Sequence, residues 1–316
     1  MQFQTPIPIP KSHFPIDYDS KVLSLGSCFA VNIAEKLNYF KFQNTVNPFG
    51  ILFHPMAIEK FLGFVANQKQ FEENDVFFHN ERWFSFDAHS EMNQMDKNQL
   101  LQNLNQKVSE TKEQLSKASH LIITLGTAWV YQHVASQKIV ANCHKIPQKQ
   151  FKKELLSVDK IQKSLQNTIE LVSKINPSIH IIFTISPVRH IKDGFVENQW
   201  SKSNLISALY EILNRNSEIS NYFPSYEIIM DELRDYRFYA EDMIHPNQTA
   251  IDYIWKRFSE TWISESVFPV MEQVSGIQKS LFHQPFNPNS ESHQVFVSKL
   301  NQQIQQLQKQ FPQFDF

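Results

Sequence analysis

The chain has 316 residues, 41% of them hydrophobic, which suffices for a packed core in one large domain or two small ones. A formal net charge of −2 and a sequence pI near 6.6 leave no electrostatic footprint for nucleic acid or an anionic membrane surface, so neither is expected as a partner. Two cysteines, Cys28 and Cys143, cannot build a disulfide framework, and free thiols are the default in a reducing compartment.

The opening segment "MQFQTPIPIPKSHFPIDYDS" lacks the basic flank, apolar centre and small-residue cleavage site of a secretory signal. No apolar run approaches the ~20 residues of a membrane span, and a cytoplasmic protein is expected. The first predicted strand covers residues 21 to 26, and helical spacing of Ala30, Ile33, Ala34 and Leu37 begins directly after Ser27. A serine at that junction is either the cap of the helix or a nucleophile held between strand and helix. Residues 70 to 92 mix aromatic and polar side chains and predict an inserted hairpin or long loop, placed either as a substrate rim or as a packed surface loop.

Further continuous apolar runs, "SHLIITLG" at 119 to 126, "IHIIFTIS" at 179 to 186 and "YEIIMDE" at 226 to 232, predict buried parallel strands. Helical patterns lie between them, at Leu101 to Val108, Val158 to Ile175 and Leu205 to Ile212. This alternation predicts an α/β fold of three α/β/α layers around a mostly parallel central sheet. Ligands of such sheets bind beyond the carboxyl ends of the strands, where Ser27 falls.

Near the end of this region "YAEDMIHPNQTAIDYIWKRF" places Asp242 three residues before His245, with Pro246 expected at the first helical position and His245 at the cap. A carboxylate at that spacing either orients an imidazole base or forms a surface ion pair on a capped turn. From residue 266 a turn-rich linker containing "SLFHQPFNPNSESH" is expected, followed by a C-terminal helical extension. Its stripe of Val297, Leu300, Ile304, Leu307 and Phe311 suits either packing back on the main domain, residues 1 to 265, or a homodimer.

The sequence "GSCFA" at residues 26 to 30, with "NPFGIL", "TLGTAWVY", "ANCHK", "SPVRH" and the Asp-x-x-His block, resembles the GSCFA family and, through it, the SGNH hydrolase superfamily. The resemblance implies an SGNH-hydrolase or flavodoxin-like sheet, with Ser27 as nucleophile, His245 as base and Asp242 as its orienter. It implies backbone amides of Ser27 and Gly50 as oxyanion donors. The superfamily's Gly-x-Asn is a departure here, because Ala128 of "GTAW" stands where that Asn would be, and Thr127 or Asn142 is the expected substitute. Cys143 and His144 of "ANCHK", with Arg189 and His190 of "SPVRH", are expected to contribute to substrate binding, the latter pair through a substrate oxygen or carboxylate. Cys28 is the rival nucleophile, being a thiol at a helix N-terminus.

No His-x-x-x-His or comparable ligand spacing occurs, and six glycines form no phosphate loop, so neither metal nor cofactor is expected. The function implied is a cofactor-free serine esterase acting on a small-molecule or carbohydrate ester, such as a carbohydrate O-acetyl ester. An acyltransferase would use the same residues. A non-catalytic binding or scaffold protein that keeps the pocket is the alternative of a different class.

Overall fold

Three largely apolar runs, Val22–Leu25, Leu121–Leu125 and Ile181–Ile185, cross the centre of the molecule with almost no exposure. The computed structural model describes residues 4–316. In chain order its strands are β1 (Lys21–Gly26), β2 (Gln43–Val46), β3 (Phe77–His79), β4 (Arg82–Phe84), β5 (His120–Leu125), β6 (Trp129–His133), β7 (Ile139–Val140), β8 (Phe151–Leu155), β9 (His180–Ile185) and β10 (Ser220–Phe223). The helices are α1 (Cys28–Tyr39), α2 (Pro55–Asn67), α3 (Lys97–Lys117), α4 (Val158–Ile175), α5 (Phe195–Arg215), α6 (Ser225–Glu227), α7 (Gln248–Trp262), α8 (Phe268–Leu281) and α9 (Glu291–Gln310).

The central sheet has five parallel strands in the order β10-β9-β5-β1-β2. One apolar cluster covers its first face with α2, α3, α4 and α5, and a second covers the other face with α1, α7, α8 and α9. This is a three-layer α/β/α fold. The chain reverses direction across the sheet between β1 and β5, and crevices for ligands open at the carboxyl ends of strands at such a switch point. Ser27 follows β1 there, and Gly126 follows β5.

The switch point depends on Gly26. Its φ is +133°, and a Cβ on it would stand 2.1 Å from the Thr124 carbonyl oxygen, so only glycine lets β1 lie this close to the end of β5.

Three elements differ from the sequence expectation. The run "YEIIMDE" is α6 continued by a π-helical turn, Ile228–Glu232, instead of a strand, and β10 precedes it. Its buried residues Ser225, Tyr226, Ile228, Ile229 and Glu232 recur at three and four, which is helical spacing hidden inside an unbroken apolar string. Beside the main sheet, β7-β6-β8 forms a small antiparallel sheet that nothing in the periodicity announces. The expected linker from residue 266 contains α8, whose Met271, Val274 and Ile277 are buried.

Within residues 70 to 92 lies a two-stranded hairpin of β3 and β4, closed by Asn80 and Glu81, both at positive φ. The tail packs back on the domain: Leu300, Leu307 and Phe314 are buried, and Phe314 meets Tyr18 edge-on at 4.8 Å. None of the helices among the described residues is long and apolar enough to cross a membrane.

Candidate functional site

Ser27 occupies the N-cap position of α1, yet its hydroxyl makes no capping bond. The residue has no exposure, and its Oγ is a buried polar atom with no hydrogen-bond partner among the described residues. Because serine at a helix start ordinarily uses its oxygen on a first-turn amide, this hydroxyl is spare.

The strand-end loops converge on it through Gly126. A Cβ there would lie 3.0 Å from the Phe53 carbonyl oxygen, 3.1 Å from Ser27 Cβ and 3.4 Å from His190 Nε2. Glycine therefore lets Ser27, His190 and the Phe53 backbone converge on a gap slightly smaller than a methyl group. His190 Nε2 is likewise buried and unpartnered. Burial, reinforced by the charges of Lys202, His245 and Lys192, lowers the His190 pKa to about 3, so the ring is neutral near pH 7 and one nitrogen carries a proton it can donate. The Phe53 ring packs edge-to-face against both His190 and His89, with each centroid at 6.2 Å, so the 70 to 92 insertion reaches this corner through His89.

Beneath these loops lies Lys202, fully buried on α5. Its Nζ donates to the carbonyls of Gly126 at 2.8 Å and Ser186 at 2.7 Å, tying the segment after β5 to that after β9. Desolvation lowers its pKa to about 7. A neutral amine has two N–H donors and here meets two carbonyls, whereas the ammonium's third donor has no hydrogen-bond acceptor among the described residues. The one signal of Lys202 in the sequence is its place three residues before Leu205, on the buried stripe of its helix.

Asp242 and His245 form the expected pair. Asp242 Oδ2 accepts from His245 Nδ1 at 2.6 Å, while its Oδ1 accepts from the amides of His245 at 3.0 Å and Ile244 at 2.9 Å. The His245 amide, then its imidazole and the Ile244 amide, hold the Asp242 carboxyl at about 2. The cap of α7 is Asn247 and not His245: the Asn247 side chain accepts from Ala250 N at 3.1 Å and donates to the carbonyls of Arg237 and Tyr239. His245 is thus released from capping, with its Nε2 side free. No hydrogen bond joins it to Ser27 Oγ.

Three of the four groups expected as oxyanion donors are engaged elsewhere. The Ser27 amide donates to Thr124 O at 3.0 Å, and the Gly50 amide closes a turn onto Asn47 O at 2.7 Å. With φ at +71° and His89 Cβ 2.4 Å from where a Cβ would sit, Gly50 is a turn glycine. Thr127 Oγ1 bonds Ser201 Oγ and accepts from the Trp129 amide, both at 3.0 Å. The Asn142 side-chain carbonyl accepts from the His144 amide at 2.8 Å, and no hydrogen bond among the described residues engages its Nδ2 donor.

His144 pins its loop to the insertion. Its Nε2 meets Ser85 O at 2.7 Å and its Nδ1 meets Ser90 Oγ at 3.1 Å, which leaves neither nitrogen for a ligand. Burial pushes its pKa down to about 4 and that of the neighbouring Cys143 thiol up to about 11. Burial also raises the Cys28 thiol, against the opposing pull of Lys202 and first-turn amides, which keeps it from the thiolate form a nucleophile needs. Among the described residues no group of three or more His, Cys, Asp or Glu side chains could hold a metal ion.

The fold and these junctions define a three-layer α/β/α protein with a strand-to-helix serine and an Asp–His pair near the carboxyl ends of the sheet. The chain belongs to the GSCFA family, whose pattern matches residues 21–258, and the GSCFA domain protein, C-terminal domain, matches residues 274–316. No curated protein matches the chain.

Proposed function

We propose that the protein is a serine esterase of the SGNH type. The observation that carries the reading is the spare Ser27 hydroxyl, which caps nothing although it occupies a capping position. Ser27 Oγ attacks the ester carbonyl and passes its proton to His245 Nε2, whose imidazolium Asp242 stabilises. The tetrahedral intermediate collapses, the alcohol leaves with that proton, and water then releases the acyl group from Ser27 as a carboxylic acid. Since the Ser27 and Gly50 amides are bonded internally, we assign the donor to the developing oxyanion to the neutral ring of His190, which compensates for the superfamily Asn replaced by Ala128. A small-molecule or carbohydrate O-acetyl ester in the cytoplasm fits this reading.

Full burial of Ser27 and the missing bond to His245 favour a second reading, a binding or scaffold protein that retains the pocket. A fluorophosphonate probe separates the two. Labelling that maps to Ser27, persists in Cys28→Ala and vanishes in Ser27→Ala together with aryl-ester hydrolysis supports the esterase. Absence of labelling and of hydrolysis in the wild type overturns it.

A further inference from the structure

Beside the Asp–His pair lies a cleft of about 410 Å³ walled by Arg189, Met230, Tyr236, Tyr239, Asp242 and Met243. The other charged groups on its wall are matched. Asp235 accepts from the Arg237 amide at 2.8 Å and guanidinium at 2.9 Å, Arg234 pairs with Asp231 at 3.0 Å, and Asp242 is bound to His245. Arg189 is the exception: its Nε is buried without a partner, and the contact of its Nη1 is the Met230 sulfur at 3.8 Å. Among the described residues it forms no ion pair. A guanidinium donor left unpaired in a buried position is destabilising, and a bound acceptor removes that cost.

We infer that this cleft is the leaving-group subsite and that Arg189 there binds a carboxylate carried on the alcohol portion of the ester. The assignment to the alcohol rests on the esterase reading above, because Asp242, at the cleft wall, orients the histidine that returns a proton to the departing oxygen. Guanidinium matches carboxylate through two parallel N–H bonds, and the two tyrosine rings offer flat, amphipathic walls for a ring-shaped alcohol. A monoanion suits the cleft better than a phosphate near −2, since Arg189 is the single unmatched cation and Asp235 and Asp242 stand on the same wall.

The test compares 4-acetoxybenzoate with its methyl ester, following the released phenol. Wild type should favour the free acid in kcat/KM by about tenfold or more, as expected for a charge-assisted hydrogen bond. Arg189→Met should bring the two substrates close to parity, and Arg189→Lys should keep part of the preference. Calorimetric titration with 4-hydroxybenzoate reads the same subsite without turnover, and binding to wild type but not to Arg189→Met is expected. If the esters are hydrolysed without preference and 4-hydroxybenzoate does not bind, the Arg189 inference falls and the esterase reading stands. If neither ester is hydrolysed and Ser27 is unlabelled, yet 4-hydroxybenzoate binds through Arg189, the anion site stands and the esterase reading falls.

Discussion

Lys202 Nζ donates to the Gly126 carbonyl at 2.8 Å, so a side chain with no exposure holds the backbone that borders Ser27. A second bond to Ser186 O at 2.7 Å fixes the segment leading to Arg189 and His190. One amine therefore sets the separation of the two loops on which the proposed oxyanion and anion sites depend.

Lys202→Met should leave two buried carbonyls unsatisfied and destabilise the fold by about 1–3 kcal/mol, with proportionally larger loss of Ser27 labelling. The pH dependence gives a sharper signature. Its folded pKa of about 7 lies below the ordinary 10.5, so between these values the unfolded chain binds the proton that the folded chain releases. The Lys202 contribution to stability consequently rises with pH from about 7 to 10.5 and is lost as pH falls through that window. Melting temperatures across that range should show a positive slope in wild type that is diminished in Lys202→Met. Parallel curves would remove the depressed lysine from the account.

Gly126→Ala tests the gap itself. The added methyl would meet Phe53 O at 3.0 Å and Ser27 Cβ at 3.1 Å, tight contacts with backbone on one side and Ser27 on the other. A stability cost of about 1–3 kcal/mol is expected from overpacking. Probe labelling of the folded fraction should drop far more than the folded fraction itself. Unchanged labelling would show that the acyl group enters elsewhere.

The oxyanion assignment predicts a ranking. His190→Ala should lower turnover by about a hundredfold or more with KM little changed, because a donor to the transition state is lost. His190→Gln, which restores an N–H donor, should recover part of it. Thr127→Val should cost mainly stability, about 1 kcal/mol, since its hydroxyl serves Ser201 and the Trp129 amide. A greater turnover loss in Thr127→Val than in His190→Ala would reverse the assignment.

Much of this arrangement was legible in the sequence where one residue type has one physical use. Unbroken apolar runs at 119 to 126 and 179 to 186 became central strands because burial on both faces leaves no alternation to mislead. The run at 226 to 232 looked the same and is helical, since uninterrupted hydrophobicity conceals its own period. The Asp242–His245 pair followed from local spacing. His190 was expected to meet a substrate oxygen or carboxylate, but the places of Lys202 and Gly126 were not legible, because their meaning lies in contacts among segments far apart in the chain. Gly50 shows the converse, as its place after "NPF" signalled a turn and the resemblance suggested a donor, and its amide bond to Asn47 favours the turn.

The C-terminal extension supplies the last prediction. Tyr18 precedes β1 and Phe42 precedes β2; their rings stack at 4.6 Å, and Phe311 and Phe314 close on Tyr18 at 5.1 and 4.8 Å. This cluster stands at the amino end of the parallel strands, whereas Ser27 stands past their carboxyl end, about 20 Å away along β1 at ~3.3 Å per residue. Phe314→Ala should therefore destabilise the fold by about 3–5 kcal/mol, the range for emptying a buried aromatic site. Removal of residues 285 to 316 should lower the melting temperature further, since it takes away Leu300 and Leu307 as well. Below the lowered transition, KM and kcat for a short aryl ester should stay near wild type in both variants, because the tail packs at the amino end of the strands and no hydrogen bond among the described residues links α9 to Ser27, Asp242, His245 or His190. A selective rise in KM at a temperature where the truncated chain is folded would show that the tail acts on the cleft, against the packing seen at Tyr18.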